Sequence, residues 1–314
     1  MKHLIYLTLF SLVGGSIAAQ QLPLFTQYRE YYGAINPASL NIDYLTSSTD
    51  YNASFGISYR TQWLGKDFGP KTAMARGEFI FDLGNAGLIT GLQVTTDQTG
   101  PTSLRGAYGR VGFIIGNPYT SGISIGLSAG FVQHKIDATE LNFIDEEDAL
   151  ENVVLVKTIP DVAAGIYYFS RFGTKDNVFY TGLSVPQTLG IDLVFEELNN
   201  NQPRFTRVRH FYAIVGFLKE TRLGQYLDLS AWIKYVPSAS TNLDALARYQ
   251  IHPNFWIGAG VSSSKTFHLE VGITLDGDSN RWKIGYGYDN NFTSFQQYFG
   301  TSHEINLAYS ISTY

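Results

Sequence analysis

The stretch from Phe255 to Ser312 alternates apolar residues with small or polar ones at every second position. Leu269 and Val271, for example, are separated by Glu270. Because successive side chains of a β-strand point to opposite faces, this period predicts strands with one apolar face and one polar face. Four such segments follow one another, with turn-forming sequences such as Asp276–Asn280 between them. The segment is therefore expected to form an antiparallel meander.

The second face of these strands carries few charges, and this distinguishes two classes of all-β protein. A soluble sandwich exposes a densely charged face, whereas here the second face is mostly Gly, Ser, Thr, Ala and Asn. Only 16% of residues are charged, and the chain contains 21 Tyr, 21 Phe and 31 Gly. Aromatic girdles and alternating faces are typical of outer-membrane barrels. The composition favours such a barrel over the alternative, a large soluble double sandwich.

The same alternation runs forward from Tyr51 and predicts about fourteen strands. The sixth is predicted over Pro160–Ser170 and the eighth over Arg207–Leu218. Every second connection is short, while the long ones, including Lys135–Ile159 and Pro186–Thr206, fall on the other side. This asymmetry predicts an all-β fold, a single antiparallel transmembrane β-barrel of about 14 strands. We expect short periplasmic turns, long extracellular loops and both termini in the periplasm.

The first residues have the pattern of a secretory signal. Met1–Ala19 combines a basic start, an apolar run and a small-residue cleavage site, so residues 1–19 are predicted to be a signal peptide. Residues 20–50 contain Pro23 and Pro37, which interrupt any strand period. This segment is expected to lie in the periplasm or to pack in the lumen, and residues 51–314 to form the barrel. The candidates for packing at the lumen or its mouth are Phe25, Tyr28, Tyr31 and Tyr32.

The alternation also predicts which side chains face lipid. The expected outward band comprises Phe55, Ile57, Ile125, Leu127, Leu229, Ile257, Val271, Ile284 and Leu307. Glycines alternate with apolar residues on the opposite face of several strands, as at Gly126, Gly165 and Gly285. They are expected to reflect strand curvature and lumen space rather than a ligand site.

No catalytic or metal-binding motif stands out. The six His residues are scattered and the chain has no Cys, so thiolate metal sites and disulfides are excluded. His210, His268 and His303 could point inward and assemble a barrel-embedded hydrolase, although lumen-lining or girdle His is commoner. Residues 145–148 are acidic and could hold calcium, but an acidic run in a loop is more often solvated. We expect no cofactor.

The net charge of −5 does not indicate a basic surface of the kind that binds nucleic acid.

Two connections are candidate partner contacts. One lies between the first two strands, where Arg60, Trp63 and Lys71 are either a girdle Trp with snorkelling cations or a protein contact. The other, Lys135–Ile159, combines Leu141, Phe143 and Ile144 with the apolar run at residues 153–156. Apolar residues on an exposed loop favour a protein partner, although extended strands folding back over the barrel explain them equally well.

Several motifs resemble one family in type and order. Arg60-Thr-Gln-Trp63 followed by Gly69-Pro-Lys-Thr72 resembles a motif of the PorP/SprF proteins of the type IX secretion system, as do Phe25-Thr-Gln-Tyr28 and Ile35-Asn-Pro-Ala38. The resemblance covers essentially the whole mature chain. It adds to the candidate contacts the motif residues Gln62, Pro70 and Thr72.

The resemblance implies a non-enzymatic barrel in the outer membrane of a Bacteroidota-type bacterium. Its partners would be outer-membrane lipids, the periplasmic ring and lipoprotein components of the machinery, and a secreted surface protein, which in gliding relatives is a large adhesin. The residues leave two other functions open. A general porin or lipid or small-molecule transporter would have an open lumen, and a hydrolase would have clustered Ser, His and acid.

Overall fold

The computed structural model describes residues 25–46, 51–140, 153–173, 177–189, 192–194, 204–206, 208–222, 225–237, 239–292 and 300–313. Fourteen strands close into one antiparallel barrel, as the alternation predicts, and two short strands pair outside it. The strands are β1 (Ala53–Thr61), β2 (Lys71–Asp82), β3 (Ala86–Thr99), β4 (Thr102–Asn117), β5 (Ser121–Asp137), β6 (Val154–Phe172), β7 (Asn177–Val185), β8 (Asp192–Val194), β9 (Arg204–Thr206), β10 (Phe211–Arg222), β11 (Gln225–Tyr235), β12 (Asn242–His252), β13 (Phe255–Ser262), β14 (Thr266–Asp276), β15 (Asn280–Asn291) and β16 (Ser302–Ile311). No helix in the described part of the chain is long and apolar enough to cross a membrane.

The barrel closes because the first strand pairs with the last. Ala53 of β1 lies opposite Ile311 of β16, and the ladder continues to Thr61 opposite His303. Closure leaves no unpaired strand edge, which the interior of a bilayer would not tolerate. The pair β8 and β9 is a separate two-stranded sheet within the connection from β7 to β10.

The predicted lipid-facing band is confirmed. All nine residues are between 37% and 60% exposed, from Val271 to Ile57. Their sequence neighbours on the same strands, such as Ser58 and Glu270, are buried inside the barrel. A strand places alternate side chains on opposite faces. An error of one residue in the predicted alternation of a strand would therefore have placed its predicted outward residues inside the barrel.

The connections divide the barrel into two ends. The starts of β1 and β3 and the end of β16 lie at one end, together with short turns such as Leu83–Asn85 and Gly277–Ser279. We call this end the short-turn rim. The connections β1–β2, β5–β6, β7–β10 and β15–β16 lie at the other end, which we call the long-loop rim.

Two predicted boundaries near the long-loop rim were wrong. The sixth strand begins at Val154 rather than near Pro160, and the eighth barrel strand, β10, begins at Phe211 rather than Arg207. Of the two explanations offered for the apolar run at residues 153–156, the extended strand is therefore correct from Val154 onward. Its Leu155 is 1% exposed and packs with Val132 and Ile159. The run extends β6 well above β7, whose ladder with β6 ends at Val185 opposite Ala164, while β4 on the other side reaches nearly as high as β5.

Residues 25–46 pack inside the barrel, and we call this segment the plug. It contains a 3-10 turn at Tyr28–Tyr31 and short helices at Tyr32–Ile35 and Ile42–Thr46. Its apolar side chains join inward-facing wall residues such as Ile89, Ile114 and Phe169 in one core cluster. The hydrophobic core of this protein is thus the contact between the plug and its wall.

The lipid-facing assignment yields a test. Ile284→Arg places a charge on the outward face near the middle of β15 and is expected to destabilise the folded barrel by about 2 to 4 kcal/mol. Refolding titrations into lipid vesicles measure this change. The control is Ile284→Leu, which keeps the outward face apolar. A neutral Ile284→Arg would contradict the assignment of the face.

Candidate functional site: the plug and its seat in the lumen

The first residues of the plug are held by three wall side chains. The Glu304 carboxylate accepts hydrogen bonds from the backbone N–H groups of Thr26 (2.6 Å) and Gln27 (3.2 Å). The Thr26 hydroxyl donates to Asp289 at 2.7 Å and accepts from Arg60 at 2.6 Å. Arg60 also pairs with Asp289 at 2.6 Å. Each wall group belongs to a different strand, so the contact fixes the plug across β15, β16 and β1.

The middle of the plug carries two buried charges of opposite sign. Arg29 pairs with Asp228 of β11 at 2.5 Å. Glu30 pairs with Arg248 of β12 at 2.9 Å and with Lys283 of β15 at 2.6 Å. Neighbouring plug residues therefore bind opposite charges on different strands. A rotation of this turn would separate both sets of pairs.

The last turn is held near the short-turn rim. Asp43 lies 3.0 Å from Lys283 and accepts a hydrogen bond from the Ser310 hydroxyl at 2.7 Å. Asn41 donates to Glu78 at 2.5 Å, and Arg171 donates to the carbonyl of Tyr44 at 2.9 Å.

Both plug carboxyl groups are enclosed by cations of the wall. Glu30 contacts Arg248 and Lys283, and Asp43 contacts Lys283 at 3.0 Å and Arg281 at 3.7 Å. Removing one partner of a buried ion pair leaves an uncompensated charge, which is strongly unfavourable. The position of the plug therefore depends on these pairs.

The Asn36-Pro-Ala38 segment fits against wall glycines. Asn36 donates to the carbonyl of Ile166 at 3.0 Å, and its own side-chain oxygen accepts from the Ala38 N–H at 2.9 Å. A Cβ added at Gly165 would lie 2.0 Å from that oxygen, and one added at Gly126 would lie 2.5 Å from the Ala38 nitrogen. These two glycines leave the space that the plug occupies.

The plug descends through the lumen from the long-loop rim. Thr26 contacts Glu304 and Asp289, which lie close to the long-loop ends of β16 and β15. Asp43 contacts Ser310, which lies at the short-turn end of β16. The prediction that both termini lie at the periplasmic end stays a prediction for the N-terminus, because residues 1–24 lie outside the described residues. The start of the plug lies in the long-loop half of the barrel, because strand contacts rather than chain order fix its direction.

The four aromatic residues predicted at the lumen or mouth lie in the plug. Phe25, Tyr28, Tyr31 and Tyr32 are 7%, 5%, 1% and 3% exposed. Phe25 stacks on Tyr31 with ring centroids 4.8 Å apart. The Tyr28 hydroxyl lies 2.9 Å from Ser230, and that of Tyr32 lies 2.8 Å from Tyr180.

The residues predicted to contact a partner between β1 and β2 separate into two groups. Arg60 faces the lumen, where it binds the plug, and Thr72 is buried with its hydroxyl 2.5 Å from Asp97. The interpretation of Arg60 as a snorkelling or rim cation was therefore wrong, because Arg60 is one of the alternate residues of β1 that face the lumen. The remaining candidates lie in the connection itself or at its end. The Gln62 N–H donates to the Pro70 carbonyl at 2.8 Å, and the ring of Trp63 contacts that of Phe68. Lys71, at the start of β2, is exposed.

The other contact and metal-binding candidates from the sequence do not form a site among the described residues. Leu141, Phe143 and Ile144 lie outside the described residues, as does the acidic run at 145–148. Asp276–Asn280 forms a tight turn, closed by the Gly277 N–H donating to the Asn280 carbonyl at 2.8 Å. Among the described residues, no group of three or more His, Asp or Glu side chains is arranged to hold a metal ion.

The three His candidates for a hydrolase lie apart. His268 on β14 pairs with Asp289 at 2.7 Å. His210 is buried beside β10, four strands away along the wall. His303 contacts the hydroxyl of outward-facing Tyr286 at 2.6 Å. They do not form a shared site.

Sequence reasoning missed the charged wall residues that hold the plug. Asp228, Arg248, Lys283 and Glu304 are isolated charges on the polar faces of their strands. The alternation of the sequence showed that these four side chains face the lumen. Their partners were not, because pairing with Arg29, Glu30 and Thr26 depends on how the plug lies in the lumen.

Comparisons with known proteins identify the family and support the barrel fold. The model of the family described as type IX secretion system membrane protein PorP/SprF matches residues 17–309. No curated protein sequence matches the chain. The crystal structure of the Pseudomonas putida toluene transporter TodX is similar in fold, with 9% identity, coverage of 93% of this chain and 98% of that chain, and a TM-score of 0.51. A TodX monoaromatic hydrocarbon channel deltaS2 mutant is also similar, with 11% identity, coverage of 90% and 94%, and a TM-score of 0.53. At these identities the two structures support the outer-membrane barrel fold alone.

The glycine seat yields a test. Gly165→Ala brings a Cβ against Asn36, and overpacking of this kind typically destabilises by about 1 to 3 kcal/mol. We expect the plug to become sensitive to protease while the barrel stays folded. The matched control is Gly109→Ala on the outward face, where the nearest atom to the new Cβ is Leu92 Cδ2 at 3.6 Å. Equal protease resistance in both variants would contradict the proposed seat.

The direction of the plug can be tested with an engineered disulfide, since the chain has no Cys. Thr26 Cβ lies 3.1 Å from a Cβ built on Gly287, slightly less than the roughly 3.8 Å typical of disulfides. Thr26→Cys with Gly287→Cys is expected to cross-link in the folded, oxidised protein, as seen by a mobility shift without reductant. Thr26→Cys with outward-facing Gly77→Cys should stay reduced. The reverse pattern would place the plug differently.

Proposed function

Because the chain belongs to the PorP/SprF family of type IX secretion system membrane proteins, we propose that it is a non-enzymatic component of that machinery in the outer membrane. In this role it binds other secretion components and assists the export or surface anchoring of a cognate secreted protein. The observation that carries the proposal is the family match over residues 17–309, which includes nearly the whole barrel. The family also supports a host of the Bacteroidota type and, in gliding relatives, an adhesin as the cargo.

The filled lumen supports binding rather than passage. The plug forms ion pairs or hydrogen bonds with strands around the wall, including β1, β4, β7, β11 and β15. A polypeptide therefore has no open path through the described lumen. Contacts with partners must then be made at the two rims or on the outer wall.

The two rims suit different partners. The short-turn rim offers compact turns and the last helix of the plug, and we assign it to the periplasmic ring and lipoprotein components. The long-loop rim carries the tall β5–β6 hairpin and the exposed side chains Leu64 and Phe68 of the β1–β2 connection. Binding surfaces are commonly built from long loops on a rigid scaffold. We assign this rim to the secreted protein.

A second candidate is passage of small molecules. The TodX structures of similar fold are named as a toluene transporter and a hydrocarbon channel. In this chain such passage would require the plug to move, because its buried pairs close the lumen. The Thr26→Cys, Gly287→Cys variant distinguishes the candidates. If the protein is a channel, conductance in planar bilayers rises when reductant opens the disulfide. If it is a binding component, oxidised and reduced forms conduct equally little.

The assignment of the long-loop rim to the secreted protein can be tested by shortening one loop. Deleting residues 141–151 between β5 and β6 is expected to leave heat-modifiable barrel migration intact while the cognate protein fails to reach or stay on the cell surface. Surface display is measured by protease shaving and immunoblotting. The control shortens the β11–β12 connection at residues 237–240 on the same rim. Normal display after the first deletion would contradict this assignment and favour recognition from the periplasmic side.

A further inference from the structure

One side of the barrel wall is taller than the other. Strands β3, β4, β5 and β6 contain 14, 16, 17 and 19 residues, whereas β10 to β14 contain between 8 and 12. About 9 to 11 tilted residues are enough to cross the hydrocarbon core of a bilayer. Because short turns join these strands at the short-turn rim, the excess length of β3 to β6 projects beyond the membrane at the long-loop rim.

The outward face of this tall side is basic and polar near the long-loop rim. Lys71 of β2 and Arg105 of β4 are exposed, while the next residue of each strand, Thr72 or Gly106, is buried. The outward positions beside them carry uncharged polar side chains: Thr96, Gln98, Ser103 and Gln133. We call this surface the polar outer patch.

The opposite side of the barrel has no such patch on its described strands. At the same end of β10 to β13, the exposed outward residues are apolar or aromatic: Phe211, Tyr235, Leu243 and Val261. The polar outer patch therefore does not follow from a general requirement at the membrane boundary. It distinguishes one sector of the wall from another.

The two cations of the patch lie where the apolar band of the wall ends. Lys71 is ten positions from Phe81 along β2, and Arg105 is ten positions from Ile115 along β4. The outward residues between the members of each pair are Ala, Gly, Val or Phe. Ten residues of a tilted strand span about 25 Å in height, which is the height of the apolar band of an outer-membrane barrel. Lys71 and Arg105 therefore lie at the level of the lipid headgroups.

Both cations lack an anionic partner within the described ranges. Lys135, on the same face of β5, pairs with Asp137 at 2.7 Å, but no described carboxylate lies within ion-pair distance of Lys71 or Arg105. Lys71 lies between Thr61 and Gln98, and Arg105 lies between Thr96 and Gln133, so all their cross-strand neighbours are uncharged. At this level of the membrane, the phosphate groups of lipids are the available anions, and both side chains bind phosphate.

An apolar groove lies on the outer wall below the two cations. It has a volume of about 650 Å³, and small residues of three strands, Gly77, Gly109 and Ala129, contribute to it. Larger outward side chains border it: Phe55, Phe79, Leu92, Val111 and Leu127. Gly109 is four positions from Arg105 along β4, which corresponds to about 13 Å. A lipid held by its headgroup at Arg105 can therefore place an acyl chain in this groove.

We propose that the outer wall of β2 to β5 binds a phosphorylated sugar lipid of the lipid A type, with its phosphates on Lys71 and Arg105 and one acyl chain in the groove at Gly109. The Cα atoms of the two cations lie two strands and two residues apart, or about 12 Å. This spacing suits a headgroup with two phosphates, and the uncharged polar side chains between them suit sugar hydroxyls. A glycerophospholipid with one phosphate matches neither feature.

This inference rests on the proposed outer-membrane location, with the long-loop rim outermost, and not on the role in secretion. Lipid A is a component of the outer leaflet, so only that orientation places it beside the polar outer patch. The bound lipid also supplies a fixed surface beside the loops that we assign to the secreted protein.

The first experiment measures lipid binding to the full-length protein in detergent micelles by native mass spectrometry. The probes are bisphosphorylated lipid A, the same lipid with both phosphates removed, and phosphatidylglycerol. Bisphosphorylated lipid A is expected to bind saturably and more tightly than either of the others. Equal binding of the dephosphorylated lipid would overturn the role of the two cations, and equal binding of phosphatidylglycerol would show a general affinity for anionic lipids instead.

Variants locate the site. Lys71→Gln with Arg105→Gln is expected to weaken the binding of lipid A about 25-fold, since one cation near an anionic lipid surface contributes roughly fivefold. The control, Lys219→Gln with Lys265→Gln, removes the same charge from exposed positions outside the patch and should bind normally. Gly109→Leu fills the groove and is expected to weaken binding several-fold.

Unchanged affinity in the first double variant, or an equal loss in the control, would overturn the proposal. Unchanged affinity in Gly109→Leu would remove the acyl chain from the groove and contradict the proposed pose. Heat-modifiable migration establishes that each variant has folded.

Surface display separates this inference from the proposed function. If Lys71→Gln with Arg105→Gln binds lipid A normally but no longer displays the cognate protein, the patch contacts a protein, so the lipid inference fails and the proposed function stands. If lipid A binding depends on both cations while deletion of residues 141–151 leaves display normal, the lipid inference stands and the assignment of the long-loop rim to the secreted protein fails.

Discussion

The ion pairs between the plug and the wall determine the conformation of the lumen. Arg29 and Glu30 are adjacent in sequence, yet they bind Asp228 on one side and Arg248 with Lys283 on another. Buried pairs of this kind contribute little net stability, because desolvation offsets most of the attraction. Breaking one leaves an uncompensated charge, however, and this is strongly unfavourable. The pairs therefore specify one position of the plug more than they stabilise the barrel.

Steric fit and charge act together in this arrangement. The wall offers glycines where the backbone or side chain of the plug approaches most closely, as at Gly126 and Gly165. Elsewhere it offers large aromatic residues, such as Tyr167, Tyr180 and Trp232, which fill the space beside Tyr32 and Tyr28. A membrane barrel has no apolar core within its wall, because its apolar side chains face lipid. In this protein the plug supplies that core, so the lumen is packed much like the interior of a soluble domain.

The position of the plug also separates the two ends of the molecule. Its last helix contacts residues near the short-turn rim, whereas its first residues lie beside Glu304 and Asp289 near the long-loop rim. A single segment of the chain therefore spans the lumen between the two sides on which we place the partners. Its aromatic side chains also line a cavity against the wall. Any displacement of the plug would change both the lumen and that cavity.

The sequence by itself determined the barrel, the faces of its strands and the family. Period-two alternation is a local property of the sequence. It was therefore enough to predict that Ile57, Val271 and Ile284 face outward. The motif around Asn36 and Pro37 was visible without any structure. The strand boundary at Val154 was not, because an apolar run in a loop and an apolar run at the start of a strand look the same in a sequence.

Only the tertiary structure decided what the inward-facing residues do. Alternation places Arg60, Lys283 and Glu304 on the inner face, but it carries no information about distances across a lumen. Their partners in the plug lie more than thirty residues away in every case and are brought near only when the barrel closes. The same reason explains why chain order suggested a periplasmic start, whereas the plug begins beside the long-loop rim. Local pattern fixes which way a side chain points, and only the closed barrel fixes what it meets.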